Sequence, residues 1–94
     1  MIRSFADRDA LRVFQRLHVK RFSVDIQRMA YRKMLILDAA GSLNDLRIPP
    51  GNRLEKLVGN RDGQYSIRIN EQWRICFKWK ANDAFDVEIA DYHG

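Results

Sequence analysis

The amino-acid sequence predicts an α+β fold, in which an N-terminal αα-hairpin packs on a curved, mostly antiparallel sheet of about four strands. Three runs near the C-terminal end, at 64–69, 73–79 and 84–90, alternate apolar and polar residues and are separated by two short turns. This alternation is typical of a meander with one buried face. Upstream, two segments carry apolar residues at helical spacing, and their stripes need the apolar face of the sheet as a partner.

The first 22 residues contain a possible edge element and the first helix. Residues 1–5 alternate weakly and are open to two interpretations, a short strand or an arm. Asp7 is a suitable N-cap, because its carboxylate can accept a hydrogen bond from the first turn of a helix. The predicted buried stripe of this helix is Ala10, Val13, Phe14 and Leu17.

A longer second helix follows. Ser23 can cap it, and Asp25 lies in its first turn, where the helix dipole favours a negative charge. Gly41 is the expected stop, since glycine is favoured just after a helix end. The predicted buried stripe is Ile26, Met29, Ala30, Met34 and Leu37.

Residues 42–52 are interpreted as a connector. Leu43 and Leu46 are spaced for one helical turn, and the Pro-Pro-Gly-Asn run at 49–52 ends it. Residues 53–57 are then predicted to form the first strand of the sheet.

The alternation of the strands assigns residues to two faces. On the first strand, Leu54 and Glu55 are expected on opposite faces, and residues 59–63 form a turn. The predicted core face carries Tyr65, Ile67, Ile69, Trp73, Ile75, Phe77, Trp79, Phe85, Val87 and Ile89. The predicted outer face carries Ser66, Arg68, Arg74, Cys76, Lys78, Asp86 and Glu88, and is polar and largely basic.

The length and net charge of the chain limit the functions it can have. The 94 residues are enough for one core but not two, so we expect a single domain spanning 1–94. Lys and Arg total 17 against 12 acidic residues, giving a net charge of +5. A small basic domain favours a polyanionic partner, most often nucleic acid, over a charged surface kept for solubility.

The location follows from what the sequence lacks. Cys76 is the single cysteine, which indicates a reducing compartment. The start of the chain has no apolar core for a signal peptide, and no apolar run is long enough to span a bilayer. We therefore expect a cytoplasmic protein with no membrane partner.

Metal and cofactor motifs are not found in the sequence. There is no Cys-x-x-Cys and no His-Glu-x-x-His, and His18 and His93 are too far apart for a standard metal spacing. Gly59 and Gly63 lack the Lys-Ser/Thr that follows a phosphate-binding loop. We expect no cofactor and no metal.

A set of charged side chains is predicted to share the outer face of the sheet. RNA carries its own nucleophile, the ribose 2′-hydroxyl, so its cleavage requires only a base, an acid and fixed positive charge around the phosphorus. The groups that fit these roles are Arg61, Arg68, Arg74, Glu55, Asp91 and His93.

Each candidate also has a structural interpretation. Arg74 could simply be a polar position of an alternating strand, and a histidine near a terminus such as His93 is more often solvated. Trp73 and Trp79 could stack on bases, but their parity favours the core. Tyr92 is equally compatible with base stacking and with packing at the sheet edge.

The order of elements and three segments resemble a known family. The segments are Arg-Leu-Glu-Lys-Leu-Val-Gly-Asn-Arg-Asp-Gly at 53–63, Ser-Ile-Arg-Ile-Asn-Glu-Gln-Trp-Arg-Ile at 66–75, and Asp-Tyr-His at 91–93. Together they resemble the HigB branch of the RelE-superfamily toxins over nearly the whole chain. The resemblance is strongest for the subgroup with Pro-Pro-Gly-Asn-Arg-Leu-Glu, here at 49–55, to which the GraT toxin belongs.

The resemblance implies a ribosome-dependent endoribonuclease that cuts mRNA in the ribosomal A site without metal and leaves a cyclic phosphate. It implies contact with the bacterial ribosome through rRNA. It also implies a HigA-like helix-turn-helix antitoxin, and the toxin would bind operator DNA only through this antitoxin. Asp91, Tyr92 and His93 match the functional residues at the family's C-terminus, and Arg74 matches its Trp-Arg arginine.

The sequence departs from the family at one functional position. Many HigB toxins have His-Pro where this chain has Glu55-Lys56, so Glu55 is expected to replace the histidine as an acid–base group. The expected catalytic residues are His93, Asp91, Tyr92, Arg74 and Glu55. The expected RNA-binding residues are Arg61, Arg68, Lys56, Arg53 and Lys78.

Two other functions remain open from the sequence. The missing histidine is compatible with a non-catalytic inhibitor of a macromolecular target, as in the gyrase-poisoning relatives of the superfamily. The basic outer face is also compatible with an RNA-binding module that affects ribosome assembly.

Overall fold

A computed structural model describes residues 1–91 of the chain and confirms the predicted class. Two helices pack on one face of a four-stranded antiparallel sheet with the order β1-β2-β3-β4. The helices are α1 (Arg8–Phe14) and α2 (Val24–Ala39). The strands are β1 (Glu55–Lys56), β2 (Gln64–Arg68), β3 (Trp73–Lys80) and β4 (Asp83–Asp91).

Helix α1 begins as predicted and ends earlier. The carboxylate of Asp7 accepts a hydrogen bond from the Ala10 amide at 2.8 Å. The helix is closed by Arg16, whose φ of 63° reverses the chain, while the Leu17 amide donates to the Arg12 carbonyl at 2.9 Å. Leu17 is therefore outside the helix and 51% exposed, so its placement in the buried stripe was wrong.

Helix α2 follows the prediction more closely. The Ser23 hydroxyl accepts from the Ile26 amide at 3.2 Å, and the helix ends before Gly41. Ala30, Met34 and Leu37 are buried, and Ile26 packs against them. Met29 is 37% exposed, so its assignment to the buried stripe was wrong.

The core lies between the hairpin and the sheet, where cross-strand neighbours face the helices. Ile67 on β2 pairs with Ile75 on β3, which pairs with Ile89 on β4, and all three are buried. Trp73 and Trp79 pack against this core, as their parity predicted. The T-shaped contact of Trp73 with Phe22, at 5.1 Å between ring centroids, ties the start of β3 to the segment before α2.

The face assignment fails at one position of β4. Between Cys76 and Lys78 the register shifts, and Asp86 has a φ of 52°. The extra residue of this bulge inverts the alternation on its N-terminal side. Ala84 therefore enters the core in place of Phe85, whose core assignment was wrong.

Residues 1–5 lie along the outer edge of β4. Ile2 bridges to Ala84 and Phe5 to Val87, both in parallel orientation. The Arg3 amide donates to the Ala84 carbonyl at 2.8 Å. This arm therefore extends the sheet beyond β4 through isolated bridges rather than as a regular strand.

The connector contains two turns of 3₁₀ helix, Leu43–Arg47 and Pro50–Asn52, and the first agrees with the predicted helical turn. β1 is only two residues long, so the prediction of a strand over 53–57 was too long. Leu54 packs against the core and Glu55 is exposed, as predicted. Across residues 1–91, neither helix is long and apolar enough to cross a membrane.

Candidate functional site

A cleft of about 260 Å³ opens on the outer face of the sheet, on the side away from the helices. It lies where the loop before β1, the end of β2 and the start of β3 meet. Its lining consists of three arginines, two carboxylates and an amide: Arg53, Arg68, Arg74, Glu55, Glu71 and Asn70. Four of the ten predicted site residues, Arg53, Glu55, Arg68 and Arg74, are therefore brought together.

Arg74 is the most buried charged group of the cleft, with an exposure of 5%. Its Nε donates to the Ser66 hydroxyl at 2.7 Å, and a terminal nitrogen donates to the Arg53 carbonyl at 2.6 Å. The strand parity placed Arg74 on the outer face correctly, and the structure adds that its side chain is buried there. Its guanidinium fastens the loop before β1 to the sheet.

Arg68 is the direct cross-strand partner of Arg74. Two residues in this relation have Cβ atoms about 5 Å apart, and like charges so placed repel each other. Glu55 and Glu71, on the same cleft, supply compensating negative charge. Because three arginines face two carboxylates, the cleft keeps a net positive charge that favours an incoming anion such as a phosphate.

Asn70 and Glu71 were missed by the sequence analysis. They lie in the tight connection between β2 and β3, which Asn70 stabilises by accepting from the Gln72 amide at 2.9 Å and the Trp73 amide at 2.7 Å. Asparagine is common in turns because its side chain can accept hydrogen bonds from nearby backbone amides. The Asn-Glu-Gln segment between two alternating runs therefore indicated a turn. The sequence did not show that this turn would face the Arg53 loop.

Arg53 has the left-handed backbone conformation, with a φ of 45°. Its amide donates to the Pro50 carbonyl at 3.1 Å, and its own carbonyl accepts from Arg74. The reversal at this residue directs the following residues, including Glu55, along the rim of the cleft.

Of the three predicted catalytic residues at 91–93, only Asp91 lies within the described residues. Asp91 pairs with Trp73, and its carboxylate accepts a hydrogen bond from the side-chain Nε2 of Gln72 at 3.2 Å. On the outer face, the residue opposite Arg74 is Ala90, so alternation directs the Asp91 side chain to the other side of β4. Tyr92 and His93 lie outside the described residues.

Three predicted RNA-binding residues do not line the cleft. Arg61 donates to Glu88 at 2.8 Å, and this hydrogen bond raises the pKa of its guanidinium. Lys78 is 3.3 Å from Asp86 in an exposed ion pair. Lys56 pairs with the core-side Tyr65, which turns it to the opposite face of the sheet.

Between Arg61 and the cleft, the outer face has a small apolar floor of Leu57, Cys76 and Ala90. Burial raises the pKa of the Cys76 thiol, because it disfavours the charged thiolate. Within residues 1–91, no group of three or more His, Cys, Asp or Glu side chains is arranged to hold a metal ion.

Comparison with known proteins gives consistent matches. The family model of the RelE-like toxin HigB of type II toxin–antitoxin systems matches residues 3–93. A stretch of 54 residues is 56% identical to Toxin HigB-1 of Vibrio cholerae serotype O1, covering 57% of each chain. Another of 41 residues is 39% identical to the Endoribonuclease HigB of Proteus vulgaris, covering 44% of this chain and 45% of that protein. The chain thus spans about half the length of these relatives.

A solved structure supports the fold. The YoeB–YefM complex from Staphylococcus aureus contains a chain that superposes with a TM-score of 0.62, covering 100% of this chain and 99% of that one. The identity of 18% makes this a similarity of fold alone.

Proposed function

The chain belongs to the RelE-like HigB toxins of type II toxin–antitoxin systems, and on this basis we propose that it is a ribosome-dependent endoribonuclease. It would cut mRNA in the A site and so block translation. The observation that carries the proposal is the outer-face cleft, where three arginines and two carboxylates converge.

The reaction needs no group from outside the RNA and the protein. A base takes the proton of the 2′-hydroxyl, the 2′-oxygen bonds to phosphorus, and the bond from phosphorus to the 5′-oxygen breaks. An acid protonates the departing 5′-oxygen, which leaves a 2′,3′-cyclic phosphate and a 5′-hydroxyl. Negative charge grows on the phosphoryl oxygens, and the fixed cations of the cleft stabilise it.

The cleft residues fit distinct roles in this reaction. Arg68 and Arg53 contact the scissile phosphate, and Arg74 adds charge from a guanidinium that Ser66 holds in place. Glu55 takes the proton, at the position where many members of the family have a histidine. His93 supplies the second acid–base group, a role that rests on its match to the family's C-terminal residues.

Asp91, Tyr92 and three outlying cations complete the proposed set. Asp91 and Tyr92 carry over from the family as C-terminal functional residues. The outlying cations, which would bind RNA phosphates away from the cleaved bond, are Arg61, Lys78 and Lys56. Arg61 and Lys78 would first have to exchange their ion-pair partners, Glu88 and Asp86, for phosphate.

The proposed partners follow from the family. The antitoxin would be a HigA-like helix-turn-helix protein, and operator DNA would be bound only through it. One solved structure of the same fold is a YoeB–YefM toxin–antitoxin complex from Staphylococcus aureus. The ribosome and mRNA are the proposed targets, which places the protein in the cytoplasm.

The carboxylates of the cleft favour a second candidate function, a non-catalytic inhibitor. Glu55 and Glu71 both lie on the cleft, and two carboxylates weaken the attraction of its arginines for phosphate. A non-catalytic inhibitor that blocks its target by binding would tolerate such a site better than a nuclease.

Primer extension on a defined mRNA in a purified bacterial translation system tests the proposal. Wild-type protein should give ribosome-dependent cuts in A-site codons, and His93→Ala and Glu55→Gln should abolish or strongly reduce them. Asp62→Asn, which neutralises an exposed carboxylate away from the cleft, is the matched control and should cut normally. Blocked translation without any cut would overturn the nuclease and favour the binding inhibitor.

A further inference from the structure

A completely buried amide lies directly before the cleft. Asn52 has an exposure of 0% and closes the Pro50–Asn52 turn. Its side-chain nitrogen donates to the carbonyls of Leu46 and Ile48, at 3.1 Å and 3.2 Å. These bonds hold the connector in one shape, because a buried amide group is unfavourable without hydrogen-bond partners.

The oxygen of the same amide is bound from the helical layer. Lys33 on α2 donates from Nζ to Asn52 Oδ1 at 2.5 Å. Burial lowers the pKa of this lysine, so the surroundings disfavour its charge. A hydrogen bond from a charged donor offsets that penalty, since such bonds are stronger than neutral ones. Lys33 therefore does more than solvate a helix surface: it joins α2 to the connector.

The residues after Asn52 form the rim of the cleft. Arg53 follows it in the left-handed conformation, and Glu55 is two residues further on. The segment is held from the helix side at Asn52 and from the sheet side by Arg74, which binds the Arg53 carbonyl. The two anchors hold the backbone at Asn52 and Arg53, and the chain continues from there directly into β1, where Glu55 pairs with Ser66.

We propose that Lys33 and Asn52 form a positioning pair that fixes Arg53 and Glu55 in the geometry the cleft needs. The inference rests on the proposed function for the reaction that this geometry serves. Neither residue of the pair lines the cleft, so both act through the rim residues and not on RNA. A displacement of about 1 Å in a reacting group can reduce a rate by about 100-fold, so a remote anchor can matter to turnover.

Lys33→Met tests the pair, and Arg32→Met is its matched control. Both remove one positive charge from the same helix, but Arg32 is exposed. In the purified translation system, Lys33→Met should lower kcat for mRNA cleavage by at least about tenfold while KM for programmed ribosomes changes less than about twofold. Arg32→Met should leave kcat unchanged, and Lys33→Arg, which restores a charged donor, should recover part of it.

Amide hydrogen exchange supplies a readout that does not depend on cleavage. In Lys33→Met, exchange should accelerate at the amides of Asn52 and Arg53, which are bonded within this turn, and stay protected in β3. If Lys33→Met does not fold, Asn52→Asp replaces it. That variant keeps an acceptor for Lys33 and loses both donations to the connector, and it should show the same two effects.

The outcomes separate the inference from the proposed function. Faster exchange confined to this turn together with the fall in kcat supports the pair. Unchanged exchange, or faster exchange with normal kcat, overturns it. If the wild type cuts no mRNA, the proposed function fails, and the exchange result alone decides whether the pair holds the rim segment.

Discussion

At the scale of single residues, Arg74 serves the fold and the cleft at once. Replacing it with alanine would leave the Ser66 hydroxyl and the Arg53 carbonyl without these donors. We expect Arg74→Ala to lower the free energy of unfolding by about 1–3 kcal/mol. Urea denaturation measures this loss, and the same variant should be unable to cut mRNA.

Arg68 is the matched comparison, because it faces the same cleft and is less buried. Removing it relieves repulsion with Arg74, so Arg68→Ala should change stability by no more than about 0.5 kcal/mol. Its cleavage activity should still fall by about 10² through loss of a charge at the phosphate. Equal stability losses in the two variants would contradict the structural role assigned to Arg74.

At the scale of elements, the end of α1 is set by one strained residue. Arg16 adopts a φ of 63° at a position where helices favour glycine. We expect Arg16→Gly to be more stable than Arg16→Ala by about 1 kcal/mol, because a side chain in this conformation is strained. Comparing these two variants cancels the loss of the Arg16 contact with Tyr31, which both lack.

Arg12 lies inside the same helix and provides the opposite expectation. There, alanine should be more stable than glycine by about 1 kcal/mol, since glycine is unfavourable in a helix interior. Both differences are measured by urea denaturation. The same order of stability at both positions would show that α1 continues through Arg16.

The sequence predicted the elements that have a periodic pattern and missed the places where one residue interrupts it. Helical spacing and strand alternation located both helices and the three longer strands. The wrong predictions at Leu17 and Phe85 both result from a single neighbouring residue with a left-handed backbone. This residue is Arg16 for Leu17, and Asp86 in the bulge of β4 for Phe85. A glycine at either place would have indicated a left-handed backbone, whereas arginine carries no such signal and aspartate carries a much weaker one than glycine.

At the scale of the whole molecule, the cleft forms from segments that the sequence separates. Parity placed Arg68 and Arg74 together on the outer face, and the structure confirms that arrangement. Parity could not show that Arg61 would be bound by Glu88 on β4, because ion pairing depends on three-dimensional proximity. It could not reveal the burial of Arg74 either, since that depends on the loop at Arg53 folding over the strand.

Charged groups join the N-terminal arm to the start of β4, which makes stability depend on pH. Arg3 and the Met1 amino group bind the Asp83 carboxylate at 3.0 Å and 3.1 Å and fasten the N-terminal arm to β4. The hydrogen bond from Arg3, followed by that from the Met1 amino group, lowers the pKa of Asp83 from its ordinary 3.8. The folded state therefore binds this proton less tightly than the unfolded state, so the contribution is complete above 3.8 and is lost as the pH falls through the lowered pKa.

Asp83→Asn should accordingly be less stable than wild type near neutral pH, and the difference should shrink once the pH falls below 3.8. Urea denaturation at a series of pH values measures it. Arg3→Gln should remove much of the same pH dependence, and the double variant should add little, because the two changes break one interaction. High salt should reduce the difference at neutral pH, since this ion pair is exposed and screened. A difference of constant size from neutral pH down to the acid limit would show that Asp83 acts through strand geometry at the start of β4 and not through its charge.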